Sequence, residues 1–133
     1  MATLADTNIL LDVATNDPDW ADWSINRLEG AALQGPLLIN DVIYAELSVR
    51  FERIEDLNLF VGEAGLVIEP LPKEALFLAG KVFLDYKRNG GRRGGVLPDF
   101  FIGAHAVVAG HTLLTRDTKR YLTYFPGIAL AGV

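Results

Sequence analysis

The run Ala2-Thr3-Leu4-Ala5-Asp6-Thr7-Asn8-Ile9-Leu10-Leu11 decides the fold. A short apolar segment that closes on an acid and restarts as an apolar helix is how an open α/β sheet sets a carboxylate at the carboxyl end of a central strand. The local alternatives are plain. Asp6 also suits a turn, and Asn8 suits the N-cap of a helix through Val13.

Working outward, the same alternation repeats. Leu37-Leu38-Ile39 reads as a second buried strand, ending at Asn40 and Asp41, and Leu66 to Ile68 as a third, stopped by Pro70 and Pro72. His111 to Thr115 reads as a fourth strand and Ile128 to Leu130 as a last one. Between them Asp17-Pro18 starts a helix with the proline at its first position, and Trp20, Trp23, Leu28 and Ala31 share one arc. Further helices are expected from Val42 to about Arg53, from Ile54 to Ala64 with Leu57, Phe60 and Val61 inward, and from Lys73 to about Asn89. On the last of these Leu76, Ala79, Phe83 and Tyr86 repeat at helical spacing. Pro98-Asp99 opens a helix that is apolar nearly all round, from Phe100 and Phe101 to Val107 and Val108, and Gly110 ends it. Thr118 to Phe125 reads as a short helix or turn. Such alternation implies an α/β fold of three layers, α/β/α, around a mostly parallel sheet.

The chain has 133 residues, half of them hydrophobic and 22% charged, which fits one packed domain over residues 1–133 and no disordered tail. There is no cysteine, so disulfides, thiolate zinc and a cysteine nucleophile are excluded together. No apolar run approaches the roughly 20 residues of a membrane span, and the N-terminus lacks a basic start with an apolar core. A cytoplasmic protein without membrane contact is expected. The net charge of −5 argues against broad nucleic-acid affinity. That charge is unevenly spread: Lys87, Arg88, Arg92 and Arg93 crowd beside four glycines at 90, 91, 94 and 95. Such a segment suits a phosphodiester backbone, or simply solvation with cations near a helix C-terminus.

Parallel strands all end at one edge, so acids following different strands can be neighbours there. Asp6 follows the first strand and Asp117 the fourth; Glu46 lies on the helix after the second, and Asp99 opens the helix leading into the fourth. Each has a bland local reading. Glu46, on the face of Val42 and Val49, could pair with Arg50 four residues on, and Asp99 could compensate a helix dipole. His105 and His111 read as packing residues. Four carboxylates together would repel unless some are protonated or share a cation. Oxygen ligands alone select Mg²⁺ or Mn²⁺, an ion that activates water and stabilises charge on a phosphoryl oxygen.

The residues also carry a resemblance. Asp6-Thr7-Asn8, the Asp41-to-Glu46 segment, Leu97-Pro98-Asp99 with Ile102-Gly103-Ala104-His105-Ala106, and Leu114-Thr115-Arg116-Asp117 resemble the four motifs of PIN-domain ribonucleases. Their spacing and the ending Phe125-Pro126-Gly127 resemble VapC toxins of toxin–antitoxin pairs. The resemblance covers nearly the whole chain and implies a metal-dependent endoribonuclease whose acidic quartet is Asp6, Glu46, Asp99 and Asp117. Asp6 and Asp99 would then bind the principal ion, and Glu46 and Asp117 a second ion or its waters. It also implies that Asn8 orients Asp6 and that Thr115 supports the site through its hydroxyl. Lys87, Arg88, Arg92 and Arg93 would bind substrate, although that Gly/Arg segment is outside the common pattern. The partners implied are an RNA substrate, a cognate antitoxin, a second copy in a homodimer, and operator DNA through the antitoxin only.

Three rivals share parts of this pattern. A receiver module needs adjacent acids early in the chain, a phosphoacceptor after the third strand, where Glu69-Pro70 stands, and a late lysine. An aspartyl phosphatase needs two aspartates two residues apart, and Asp6 is followed by Thr7 and Asn8. A catalytically idle PIN fold that works through protein contacts keeps every motif and differs only in activity.

Overall fold

Five short strands pair in parallel throughout the computed structural model, which describes residues 1–92 and 97–132. They are β1 (Thr3–Ala5), β2 (Leu37–Ile39), β3 (Leu66–Ile68), β4 (Thr112–Thr115) and β5 (Leu130–Gly132), in the order β3-β2-β1-β4-β5. Leu4 faces Leu38 on one side and Leu113 on the other, so β1 is the middle strand. The chain builds one half of the sheet from β1 outward and then crosses back to lay β4 against the other side of β1. A sheet that reverses direction in this way opens a crevice at the carboxyl ends of the strands flanking the reversal.

Among the described residues seven helices connect the strands: α1 (Thr7–Ala14), α2 (Ala21–Ala32), α3 (Asp41–Ser48), α4 (Ile54–Glu63), α5 (Lys73–Arg88), α6 (Leu97–Ala109) and α7 (Thr118–Tyr124). They cover the parallel sheet in an α/β/α arrangement. Leu4, Ile39 and Leu113 from the strands pack with Ile9, Ile43, Leu47, Phe100 and Ile102 from the helices in one contiguous core. Two glycines make this packing fit. Gly110 ends α6 at φ +71, where a side chain would strain the backbone, and Gly103 lets the Phe125 ring lie directly on α6 where a Cβ would collide. Among the described residues no helix is long and apolar enough to cross a membrane.

Several sequence expectations shift. The N-cap of α1 is Asp6, not Asn8. Asp17 does not start α2 but closes a turn before it, its Oδ1 accepting from the N–H groups of Asp19 and Trp20 at 2.9 Å each. The helix carrying Glu46 stops at Ser48, so Val42 is half-buried while Val49 is 82% exposed. On α5 the inward stripe runs through Ala75 and Ala79, and Leu76 points outward. The helix α6 is not apolar to the core all round, since Val107 and Val108 are exposed. The last strand begins at Leu130; Ile128 instead closes a turn by donating to the carbonyl of Phe125 and is buried beneath it.

Candidate functional site

The middle strand delivers Asp6 to the crevice. Its N–H donates to the carbonyl of Leu114 on β4 at 2.9 Å, and its Oδ1 caps α1 by accepting from the N–H of Thr7 at 2.8 Å. The other oxygen, Oδ2, accepts from the Thr115 hydroxyl at 2.7 Å and from the Asn8 amide at 3.4 Å. Asn8 completes the lattice: its Nδ2 also reaches Thr115 Oγ1 at 3.3 Å, and its Oδ1 accepts from the N–H of Arg116 at 3.3 Å. Thr115 Oγ1 in turn accepts from the N–H of Asp117 at 3.0 Å. The end of β4 and the start of α1 are thus tied together around one buried carboxylate.

Glu46 reaches the same place from α3. Its Oε1 accepts from the Thr7 hydroxyl at 2.5 Å, and this contact, not the local pair with Arg50, is its partner among the described residues. Asp99, in the first turn of α6, points inward rather than to water. Arg120 donates from Nη1 to its Oδ2 at 2.7 Å, and the buried Tyr121 hydroxyl lies 3.5 Å from its Oδ1. Arg120 also pairs through Nε with Asp117 Oδ2 at 3.0 Å. Asp117 stands at the N-cap of α7 without using its side chain as a cap.

The electrostatics follow from this crowding. Burial pushes the Asp6 carboxyl up to about 6; its bonds from Thr115 and Thr7 oppose the rise, and the charges of Asp99 and Glu46 add to it. Glu46 is raised too, by burial first, with the Thr7 hydroxyl opposing and Asp99 reinforcing. Tyr121 is held well above its usual value by burial and by the nearby charges of Asp6 and Asp99. Partial burial works against the Arg120 charge, but the bond to Asp99 and the charges of Asp99 and Asp117 outweigh it. Asp6, Glu46 and Asp99 therefore share one field, and Asp117 joins them through Arg120.

The carboxylates do not close into a tight cage. Among the described residues, the set of three His/Asp/Glu ligand atoms within 4.8 Å of one another is a different one: Glu69, His105 and His111. Glu69 Oε1 lies 2.8 Å from Nε2 of each histidine. Asn40 decides what that cluster is. Its Oδ1 is committed to capping α3 at the N–H of Ile43, so its Nδ2 donates to Nδ1 of His105 and the ring proton sits on Nε2. The His105 ring then donates to Glu69 and has no lone pair there for an ion. The histidines are satisfied packing residues, and what satisfies both is one shared acid distant in the sequence.

Of the basic residues, Lys87, Arg88 and Arg92 are exposed at the end of α5 and just beyond it, in the segment that leads to α6 and Asp99. Arg93 lies outside the described residues. Sequence reading missed Arg120, Tyr121 and the Asp12–Arg116 pair. In that pair the Arg116 guanidinium grips buried Asp12 at 2.8 and 3.0 Å, Ser24 donates to the same acid at 2.8 Å, and Arg116 lies over the Trp20 ring at 4.6 Å. The adjacency of Arg116 and Asp117 was the available signal, since neighbouring residues after a strand diverge to opposite sides.

The family model of the PIN domain matches residues 3–125. Among solved structures, the chain is similar to one in VapBC2 from Rickettsia felis bound to a DNA fragment from its promoter. That likeness has a TM-score of 0.77 and 22% identity, over 100% of this chain and 99% of that one. VapBC-1 from nontypeable Haemophilus influenzae gives 0.74 and 20%, covering 99% and 98%. DNA-bound VapBC from Salmonella typhimurium gives 0.70 and 20%, again covering 99% and 98%. No curated protein sequence matches the chain. At such identities the likeness is one of fold.

Proposed function

The chain belongs to the PIN-domain family, and on that premise we propose that it is a metal-dependent endoribonuclease, the VapC-type toxin of a toxin–antitoxin pair. The observation that carries the reading is the shared field of Asp6, Glu46 and Asp99 at the crevice beside the middle strand, with Asp117 linked in by Arg120. Burying acids against one another is costly unless a cation relieves them.

The donor set fits a hard divalent ion. Every candidate ligand is a carboxylate oxygen, and a set more open than a closed cage suits Mg²⁺ or Mn²⁺, which keep several waters. Asp6 and Asp99 would hold the principal ion, with Glu46 and Asp117 holding a second ion or its waters. When bound, the ion supplies Lewis-acid stabilisation of a phosphoryl oxygen and a water of lowered pKa. The protein does the rest. Thr7 and Thr115 fix both oxygens of Asp6, so that carboxylate needs little reorganisation to bind, and Asn8 keeps Thr115 in register with Arg116. Thr7 aims Glu46 at the same place. Lys87, Arg88 and Arg92, with Arg93, supply cations for the RNA backbone on the approach to Asp99.

The remaining features of the reading are one domain for the whole chain, action in the cytoplasm, a homodimer, and inhibition by a small cognate antitoxin through which operator DNA is bound. The fold shared with chains of VapBC complexes, two of them bound to DNA, supports the antitoxin. The test is expression without antitoxin, followed by incubation of the purified protein with RNA. Growth arrest, together with cleavage that needs Mg²⁺ or Mn²⁺ and disappears in Asp6→Ala, is expected. Cleavage that persists after metal stripping overturns the reading, and a folded protein that never cleaves is an idle PIN fold.

A further inference from the structure

We propose that Arg120 is a built-in counter-cation of the acidic crevice, occupying Asp99, which would hold the principal ion, and Asp117, which would hold the second ion or its waters, and withdrawing when metal binds. The inference rests on the metal-site reading above.

Two nitrogens of one planar guanidinium, Nη1 and Nε, reach Oδ2 of Asp99 at 2.7 Å and Oδ2 of Asp117 at 3.0 Å. Those carboxylates come from different elements, the first turn of α6 and the junction of β4 with α7, so the pair is bridged rather than merely flanked. An ion bound to either oxygen would sit roughly 2.1 Å from it, close enough to the guanidinium that two cations would repel strongly in a half-buried site. One must leave, and Arg120 has the freedom to do so. Its side chain keeps 26% of its exposure, and it is rooted on the short helix α7 beside open solvent. Arg116, the other cation nearby, has no such freedom, because Asp12 holds it by two bonds and Trp20 lies beneath it. Asp117, whose side chain does not cap α7, is left to face Arg120. In this arrangement the metal-free protein keeps one cation shared between two of its acids, halving their charge from within, and loading frees a guanidinium at the mouth of the crevice.

A purely structural ion pair makes the opposite prediction. If Arg120 only clamps α7 to α6, removing it loosens the carboxylates and weakens metal binding; if it competes, removing it strengthens binding. The full chain is therefore titrated with Mn²⁺ by calorimetry as wild type, Arg120→Gln and Arg120→Lys, with folding followed by circular dichroism. Arg120→Gln is expected to bind Mn²⁺ about two- to thirtyfold more tightly, the range given by losing two partly exposed ion pairs. Arg120→Lys, whose single nitrogen cannot span both acids, is expected to fall between. A folded Arg120→Gln that binds equally or more weakly overturns the inference and leaves the metal-site reading standing. If Arg120→Gln does not fold, Arg120→Lys decides by the same sign. Absence of Mn²⁺ binding in wild type and variants alike overturns the metal-site reading and this inference with it.

Discussion

The Thr115 hydroxyl donates to Asp6 Oδ2 at 2.7 Å across a separation of 109 residues, and it holds one of the two oxygens of the most buried acid in the crevice. Replacing it with the isosteric valine removes the donor without changing the shape. Thr115→Val should cost about 1 to 2 kcal/mol of stability and raise the Asp6 carboxyl above its present value of about 6. Urea denaturation measures the first, and carbon-13 titration of the aspartate carboxyls measures the second. An unmoved Asp6 would mean that the bond does not stabilise the ionised form.

The pH dependence of the metal-free protein follows from the sign of the Asp6 shift. Its folded value, about 6, lies above the ordinary 3.8, so the folded state binds the proton more tightly. Ionised Asp6 then costs stability in full above pH 6, by about 2 to 3 kcal/mol, and the cost fades as pH falls toward 4. Asp6→Asn should melt higher than wild type at pH 8 without metal, and equally at pH 4. A lower melting point for the variant at both values would refute the assignment of this cost to charge.

Glu69 has the opposite sign. The hydrogen bond from His111 lowers its carboxyl, burial opposes, and the bond from His105 adds to the lowering. Its contribution is complete above the ordinary carboxylate range, near 4.5, and is lost as pH falls through the lower folded value. Since the side chain is 36% exposed, solvent screening limits the amount to under about 1 kcal/mol. Glu69→Gln should lose that much at pH 7 by chemical denaturation, and the gap from wild type should narrow below pH 4.

Burial separates two ion pairs that look alike in composition. Arg116→Ala strands Asp12, whose side chain is only 4% exposed, and should cost about 3 kcal/mol. Arg53→Ala breaks a pair with Glu55 whose members are 69% and 65% exposed, and should leave the denaturation midpoint within error. Comparable losses from both would show that burial does not govern these pairs.

β1, β2 and β4 were readable because a buried parallel strand is a continuous apolar run, β3 reads the same way although Val67 and Ile68 are exposed at the sheet edge, and the acids at strand ends followed from chain direction alone. Which of two neighbouring good caps is used was not readable. Asp6 and Asn8 both suit an N-cap, and only the position of Thr115 on the adjoining strand determines that Asp6 caps while Asn8 braces. Glu46 shared a helical face with Val42 on paper, yet its partner Thr7 is 39 residues away, and local spacing pointed to Arg50 instead. Arg120 was an ordinary surface cation in the sequence. Its role depends on α6 and α7 meeting, which no periodicity reports. The Glu69 bridge, 36 and 42 residues from its histidines, was hidden for the same reason.

Because β4 pairs with the middle strand, ends on Thr115 and leads directly to Asp117, the crevice is assembled from pieces that leave the ribosome far apart in time. A nascent chain that has emerged only through residue 110 holds Asp6, Glu46 and Asp99 but lacks the Thr115 hydroxyl on the first and the Arg120 bridge on the last. Under the proposed reading, such a chain is harmless during most of its own synthesis and becomes dangerous only near completion.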